Sequence, residues 1–506
     1  MRLPVLKSNK VLFISLALFL LARIPSLFEP HWYVDEGIYA TVAFAINKGL
    51  TLYRDVYDHK PQLVFYLYAL LGDENILLKA KLLNIVLGML SLSGIYVFAL
   101  KFFNKKMAAW AVLLAAITLG TPLFEGNIAN AESFYLPLTI WGAYLALTQG
   151  NKNKLIAGLL FGLSFLIKFH PILDLIAIVF FILVVDLQKK PLKKTISELM
   201  PLAVGFIIPF LLAALFELSR NNLLPFINAA FLDAYLYSGA DKTADSFILD
   251  LIHSTLFKTA TTLITVGVIA RLYLKKKIGK EIMLIGFITA FEFYAIVLSG
   301  RAFYHYFLQG TLCFSLLLAY LLTENFIGKD TRKKIKTAFV VIISTILIAV
   351  YFDSFHKVDY KNPNRRLPDN LFAAEYYLNF TEHLLNGTVG SSSYNLFFSD
   401  REQQLQELAP IRGMTFNKAF IYSDLAWDYS YYKIIPPTKI FVAFQQFYKT
   451  DGSDKKFTLD DLLAKNVDLI VVDTTRESYD KFDEFLGNYY TPSGQNGRYV
   501  FYSLQH

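Results

Sequence analysis

The sequence predicts a polytopic α-helical membrane protein of about eleven transmembrane helices, followed by a small α/β domain. Three observations predict it. The 506-residue chain is 55% hydrophobic and 16% aromatic, with a mean hydropathy of +0.41, more apolar surface than a soluble fold can keep from water. Apolar runs long enough to cross a hydrocarbon core, about 17 to 25 residues each, recur as far as residue 352. After residue 353 charges return, and short β-type runs alternate with helical stretches. The expected organisation is a membrane domain over 1–352, with a long first outer loop at 29–75, and an extracytoplasmic α/β domain over 353–506.

The expected spans are 11–28, 76–100, 107–123, 132–149, 155–170, 171–187, 199–218, 250–274, 282–299, 306–327 and 335–352. Each is helical because hydrocarbon offers backbone groups no other partner. The two short spans abut at His170-Pro171, where proline lacks a donor and disfavours a helical residue before it, so a tight hairpin is expected. Under this span list the basic clusters (Lys101, Lys105 and Lys106; Lys189, Lys190, Lys193 and Lys194; Lys275, Lys276, Lys277 and Lys280; Arg332, Lys333, Lys334 and Lys336) all fall on one side. That side is cytoplasmic by the positive-inside bias, as is the N-terminus, and the C-terminal domain lies outside the plasma (inner) membrane. The net charge of +8 is then mostly a topology signal, not a nucleic-acid-binding one.

Arg23, Pro25 and bulky aromatics follow the first span, where a signal-peptide cleavage site would need small residues, so that span is expected to remain as a helix. The lone Cys313 lies inside a span and reads as a small apolar residue. In the α/β domain, 418–422 and 467–472 read as strands, and 400–408, 458–465 and 478–487 as helices. Trp427, Tyr429, Tyr431 and Tyr432 sit close together there, a pattern suited to anchoring at the membrane interface or to a sugar- or lipid-facing surface.

The first outer loop carries the strongest functional signal. Asp35 and Glu36 follow directly on the first span, and a carboxylate at a lipid boundary is poorly solvated unless a cation or hydrogen bonds compensate it. Two apolar segments of the loop, 38–46 and 63–71, read as helices lying in the interface plane. Between them Tyr53-Arg54-Asp55-Val56-Tyr57-Asp58-His59-Lys60-Pro61 collects charges of both signs.

Asp-Glu-Gly-x-Tyr after the first span, then Gly49-Leu50-Thr51-Leu52-Tyr53-Arg54-Asp55 and Asp58-His59-Lys60-Pro61, resemble the first outer loop of the polyprenyl-phosphate-sugar-dependent glycosyltransferases of the GT-C superfamily. Bacterial relatives of protein O-mannosyltransferases and aminoarabinose transferases are the nearest likeness. The order and spacing of the pieces, the topology and the external α/β domain agree with it along nearly the whole chain. The resemblance implies an inverting transfer of a sugar from a polyprenyl-phosphate carrier to a hydroxyl. It also implies Asp35 as the catalytic carboxylate with Glu36 as support; capping of a helix that starts at Glu36 is the structural alternative for Asp35.

Lys60-Pro61 matches the first two residues of the Lys-Pro-Pro element whose lysine meets the lipid phosphate in aminoarabinose transferases, while Gln62 departs from the second proline. The alternative for Lys60 is a lysine snorkelling to headgroups. His59 beside it is a further expected substrate contact. Glu132 begins the fourth span where the family often carries a second acid, here Glu in place of Asp. Assisting Asp35, binding a divalent metal, contacting the acceptor and capping its helix all remain open for it. Lys168 and His170 at one hairpin, and Arg301 and His305 at another, bring further cations to the same surface. The spacing of Arg301 and His305 puts them on one helical face, and arginine suits bidentate phosphate recognition.

No metal cage with diagnostic spacing is present, so the cofactor stays open, a divalent metal included. The expected partners are a polyprenyl-phosphate sugar, a lipid, polysaccharide or protein acceptor, and membrane lipids. The competing class is a non-catalytic lipid-linked-sugar transporter or a glycan-binding scaffold. Transporters, however, commonly hold substrate near the midplane of paired repeats, whereas these charges gather at the outer boundary.

Overall fold

The computed structural model describes residues 10–233, 254–299, 303–323, 372–447, 453–476 and 478–505. Within them, ten of the eleven expected spans coincide with helices. These are α1 (Lys10–Arg23, extended by a 3-10 turn through Phe28), α4 (Ile76–Phe102), α5 (Lys105–Gly120), α6 (Ala131–Ala146), α7 (Asn151–Phe165), α8 (Ile172–Asp186), α9 (Leu192–Ser219), α11 (Thr255–Leu274), α12 (Lys280–Leu298) and α13 (Thr311–Thr323). The expected span 335–352 lies outside the described residues. Among the described residues, five helical segments are long and apolar enough to cross a membrane on those measures alone: Lys10–Phe28, Ile76–Phe102, Leu192–Ser219, Thr255–Leu274 and Lys280–Leu298.

The chain divides into two compact units that interleave along the sequence. One comprises Met1–Ile24, Leu83–Ala214 and Asp241–Ala373; the other comprises Pro25–Leu82, Leu215–Ala240 and Ala374–His506. The first is a helical bundle in which α6 packs on α7, α5 on α13, α8 on α12, and α1 on α5. Small residues set its closest crossing: a Cβ at Gly158 of α7 would run into the Leu202 carbonyl, and one at Gly205 of α9 into the Leu155 carbonyl. Backbones can approach this closely only without side chains, and in a lipid solvent such dispersion contacts replace the hydrophobic drive between helices. Between α7 and α8 the chain turns at Leu166–Pro171, as the His170-Pro171 pair predicts.

The second unit holds the first outer loop and the α/β domain. The loop contributes α2 (Val34–Asn47) and α3 (Leu63–Leu71), which pack on each other. α2 does not lie in an interface plane: every residue from Glu36 to Ala45 is buried, so no face is left for headgroups. The domain is built on a four-stranded sheet, order β1-β2-β4-β3, with β1 (Ala419–Tyr422), β2 (Leu469–Asp473), β3 (Tyr490–Asn496) and β4 (Tyr499–Leu504). β1 and β2 run parallel, with Phe420 opposite Ile470, and β4 is antiparallel to both its neighbours. Both parallel strands are buried along their whole length, which matches their unbroken apolar runs. The helices Ser453–Ala464 and Asp480–Tyr489 cover the sheet with Leu462, Phe482, Phe485 and Leu486.

Trp427 and Tyr429 do not anchor the protein at an interface. They are 2% exposed, and the Ile421 backbone N–H donates to the Tyr429 hydroxyl at 2.8 Å. A buried aromatic with a polar tip needs such a partner.

Candidate functional site

α2 carries the acidic pair in its first turn. Tyr33 is its N-cap and makes no side-chain cap bond, so Asp35 lies inside the helix and does not cap it. Negative charge in a first turn is favoured by the helix dipole. Successive side chains on a helix diverge by about 100°, and the two carboxylates therefore enter different surroundings.

Asp35 keeps 23% of its side chain exposed and meets Lys60 Nζ at 3.4 Å. Lys60 is 3.7 Å from Asp58 Oδ1 as well, and its Nζ sits 5.2 Å from the centroid of the Tyr39 ring. The loop is shaped to hold the lysine there. The Lys60 backbone N–H donates to Asp58 Oδ1 at 2.9 Å, and the Tyr53 hydroxyl donates to the Lys60 carbonyl at 2.7 Å. Tyr53 has a positive φ of 69° and is wholly buried. Burial, with the charges of Asp58 and Glu217 adding, pushes its phenol well above the ordinary range, so it remains a donor at any physiological pH. His59 Nδ1 lies 3.9 Å from Asp58 Oδ1.

Glu36 faces inward. Lys81 Nζ contacts Glu36 Oε1 and Glu29 Oε2, each at 2.8 Å, with all three side chains at most 1% exposed. The Tyr376 hydroxyl donates to Glu29 Oε1 at 2.6 Å, and Trp32 Nε1 to Glu29 Oε2 at 3.0 Å. Buried ions persist only when paired and hydrogen-bonded in this way.

The α/β domain grips the same helix. Trp427 Nε1 donates to the Tyr33 carbonyl at 3.0 Å, and the Thr41 hydroxyl to the Ala426 carbonyl at 2.5 Å. A Cβ at Gly37 would stand 2.8 Å from Trp427 Cδ1 and 3.0 Å from the Trp427 backbone nitrogen. Glycine at 37 thus lets the indole and the backbone behind it close on α2.

In the helical unit the other expected residues form a second cluster. Glu132 occupies the first turn of α6, whose N-cap Asn130 accepts from the Ala131 N–H at 2.7 Å. Lys168 Nζ donates to Glu132 Oε1 and lies 4.1 Å from the Tyr306 ring centroid. His305 Nδ1 bonds Glu125 Oε2 at 2.8 Å. The loop before α6 is tied down from two helices: Arg23 donates to the Gly126 and Asn127 carbonyls, and Asn84 Nδ2 to the Gly126 and Ile128 carbonyls at 3.2 and 2.8 Å. Arg301 lies outside the described residues. Among the described residues no group of three His, Cys, Asp or Glu side chains is arranged to hold a metal ion.

Residues 60–215 match the family of dolichyl-phosphate-mannose-protein mannosyltransferases. The fold is similar to that of ArnT from Cupriavidus metallidurans, solved with bound undecaprenyl phosphate: TM-score 0.55, 12% identity, 97% of each chain covered. The family match covers under a third of the chain and the likeness to ArnT is one of fold; both support the GT-C resemblance. The oligosaccharyltransferase of Archaeoglobus fulgidus in its apo form is a more distant match, with 15% identity, 98% of this chain and 74% of that one covered, and a TM-score of 0.44. A search of curated protein sequences finds no relative.

Sequence reasoning passed over three residues that organise this first loop. Asp58 was visible only as one acid among several, yet its side chain is fully buried against Lys60 and His59. Glu29 and Lys81 flank the loop 52 positions apart. Their one signal in the sequence is a charge where an apolar residue would suit a span end or a span interior.

Proposed function

We propose that this protein is an integral-membrane inverting glycosyltransferase that moves a sugar from a polyprenyl-phosphate carrier to a hydroxyl acceptor at the outer face of the membrane. The observation that carries this reading is the Asp35–Lys60–Asp58 arrangement on the first loop, with Asp35 partly exposed and Lys60 held between two carboxylates. It is supported by the family match over residues 60–215 and by the likeness of fold to ArnT, which was solved with undecaprenyl phosphate.

Asp35 takes the proton of the acceptor hydroxyl. The acceptor oxygen attacks the anomeric carbon, the bond from that carbon to the phosphate oxygen breaks, and polyprenyl phosphate leaves with the electron pair. Lys60 turns from its carboxylate partners to the phosphate and stabilises the negative charge that develops there. Glu36 acts through α2: its buried bond to Lys81 fixes the helix rotation that presents Asp35. In the same reading His59, Glu132, Lys168, Arg301 and His305 are contacts of the donor or the acceptor.

Purified wild-type protein and Asp35→Asn in lipid, given labelled polyprenyl-phosphate sugars and membrane extract as acceptor source, test this. Wild type should release polyprenyl phosphate and incorporate sugar, and the variant should lose about a thousandfold of that rate while keeping its thermal midpoint. Equal rates would remove Asp35 as the base. Donor binding without turnover in both would turn the reading to a binding or transport protein.

A further inference from the structure

Arg220, just past the end of α9, is an unusual cation. Nη1 donates to the Tyr66 hydroxyl at 3.0 Å and Nη2 to the Thr51 hydroxyl at 3.1 Å, so its recorded partners are neutral oxygens. Its guanidinium carbon lies 5.2 Å from the Phe216 ring centroid. The acid closest in sequence, Glu217, is bonded to Asn222 Nδ2 at 2.5 Å and meets Arg220 through charge alone, so no carboxylate among the described residues makes a direct salt bridge to Arg220. A half-buried arginine beside a membrane helix, on the side the positive-inside bias disfavours, is a costly feature to leave without a hydrogen-bonded counter-charge.

A second guanidinium meets it. Arg54 Nη2 donates to the same Thr51 hydroxyl at 2.9 Å. Arg54 is balanced by Asp55, which it binds through Nε and Nη2 at 3.0 and 2.9 Å. Burial alone would raise the Asp55 carboxyl, but the bonds from Arg54 and the Thr51 N–H hold it below its ordinary range. Two like charges are thus drawn onto one small hydroxyl, and among the described residues Arg220 has no hydrogen-bonded carboxylate. Arg220 keeps three of its five N–H donors, and Arg54 keeps its Nη1 pair.

The rim of this pair is apolar and open. Leu215, Phe216 and Leu218, on the last turn of a helix long and apolar enough to span, are 60%, 44% and 55% exposed. On such a helix these side chains face acyl chains, which places the guanidinium pair at headgroup depth.

We infer that Arg220 and Arg54 form a binding site for a phosphate-bearing lipid headgroup, with the acyl chains lying along Leu215, Phe216 and Leu218. The geometry suits a phosphate diester, whose two free oxygens accept from two forks at once. The occupant is a lipid and not free phosphate because the charge is completed by an apolar rim and not by a closed polar pocket. The site is separate in its chemistry from the Asp35–Lys60 pair and does not depend on the transfer reaction proposed above.

The test uses the full-length protein in phosphatidylcholine nanodiscs doped with phosphatidylglycerol, with bound lipid read by native mass spectrometry. Wild type should retain phosphatidylglycerol over phosphatidylcholine, and Arg220→Gln should lose at least about tenfold of that preference, as expected when charge-assisted bonds are removed. Arg54→Gln, at a half-exposed side chain, should lose part of it, and Arg220→Lys should fall between. Undiminished preference in both glutamine variants would overturn the site. Displacement of the lipid by millimolar inorganic phosphate, with phosphate retained afterwards, would overturn the lipid as occupant.

Discussion

Asp35 and Glu36 are neighbours on one helix, carry the same charge, and each pairs with a lysine, yet they sit in opposite situations. The Asp35–Lys60 pair is 3.4 Å apart, and its members keep 23% and 11% of their side chains exposed. The Glu36–Lys81 pair is 2.8 Å apart and closed to solvent, with Glu29 completing it. An accessible, loosely made pair can exchange its partner for a substrate at small cost. A buried one cannot, because separating its charges leaves an ion stranded in low dielectric. The difference teaches that residue type and position in the sequence set what a side chain can do, while its surroundings decide whether it reacts or holds.

Asp35→Asn separates the two pairs most sharply, since activity should fall about a thousandfold with no change in melting. Lys81→Met should strike stability first, with activity falling as α2 loses its fixed rotation. Losing the shared cation leaves two buried carboxylates and costs about 3–5 kcal/mol of stability, read as a lowered midpoint in detergent; an unchanged midpoint in Lys81→Met would break the comparison. Gly37→Ala comes next, with a methyl driven against Trp427. Overpacking of this kind costs about 1–3 kcal/mol, and activity should fall further than the folded fraction does, because α2 is displaced with Asp35 on it.

The smallest effect is expected at Asp428, directly after Trp427 and 1% exposed. Burial pushes its carboxyl well above the ordinary range, with the charge of Asp473 adding. The folded state then keeps a proton that the unfolded chain releases above about pH 4, so this residue's contribution weakens as pH rises from there towards the folded value. Asp428→Asn should raise the midpoint at neutral pH and flatten its pH dependence. A steeper profile in the variant would show that the carboxylate is held in the charged form.

Much of the fold was legible because long apolar runs have one solution in hydrocarbon, so ten spans, both loop helices and two strands could be placed from composition and period alone. The β3–β4 hairpin was not. Tyr490–Asn496 is exposed after its first residue and carries Pro492 and Gly494, which read as a turn, and an edge strand tolerates both where a central strand would not. α2 was misplaced for a related reason. Its apolar periodicity shows that a face is buried, but not whether lipid or protein covers it, and Trp427 arrives from nearly 400 positions away.

The sequence by itself determined a helical membrane-protein fold and a loop where acids and a lysine collect, because hydrophobic length acts locally. Only the tertiary structure decided which carboxylate is open and which is locked, that Asp58 and Lys81 are the partners, and that Arg220 and Arg54 share one hydroxyl. Those outcomes depend on burial and on charges brought together from distant positions, and the energy of an ion depends above all on the dielectric around it.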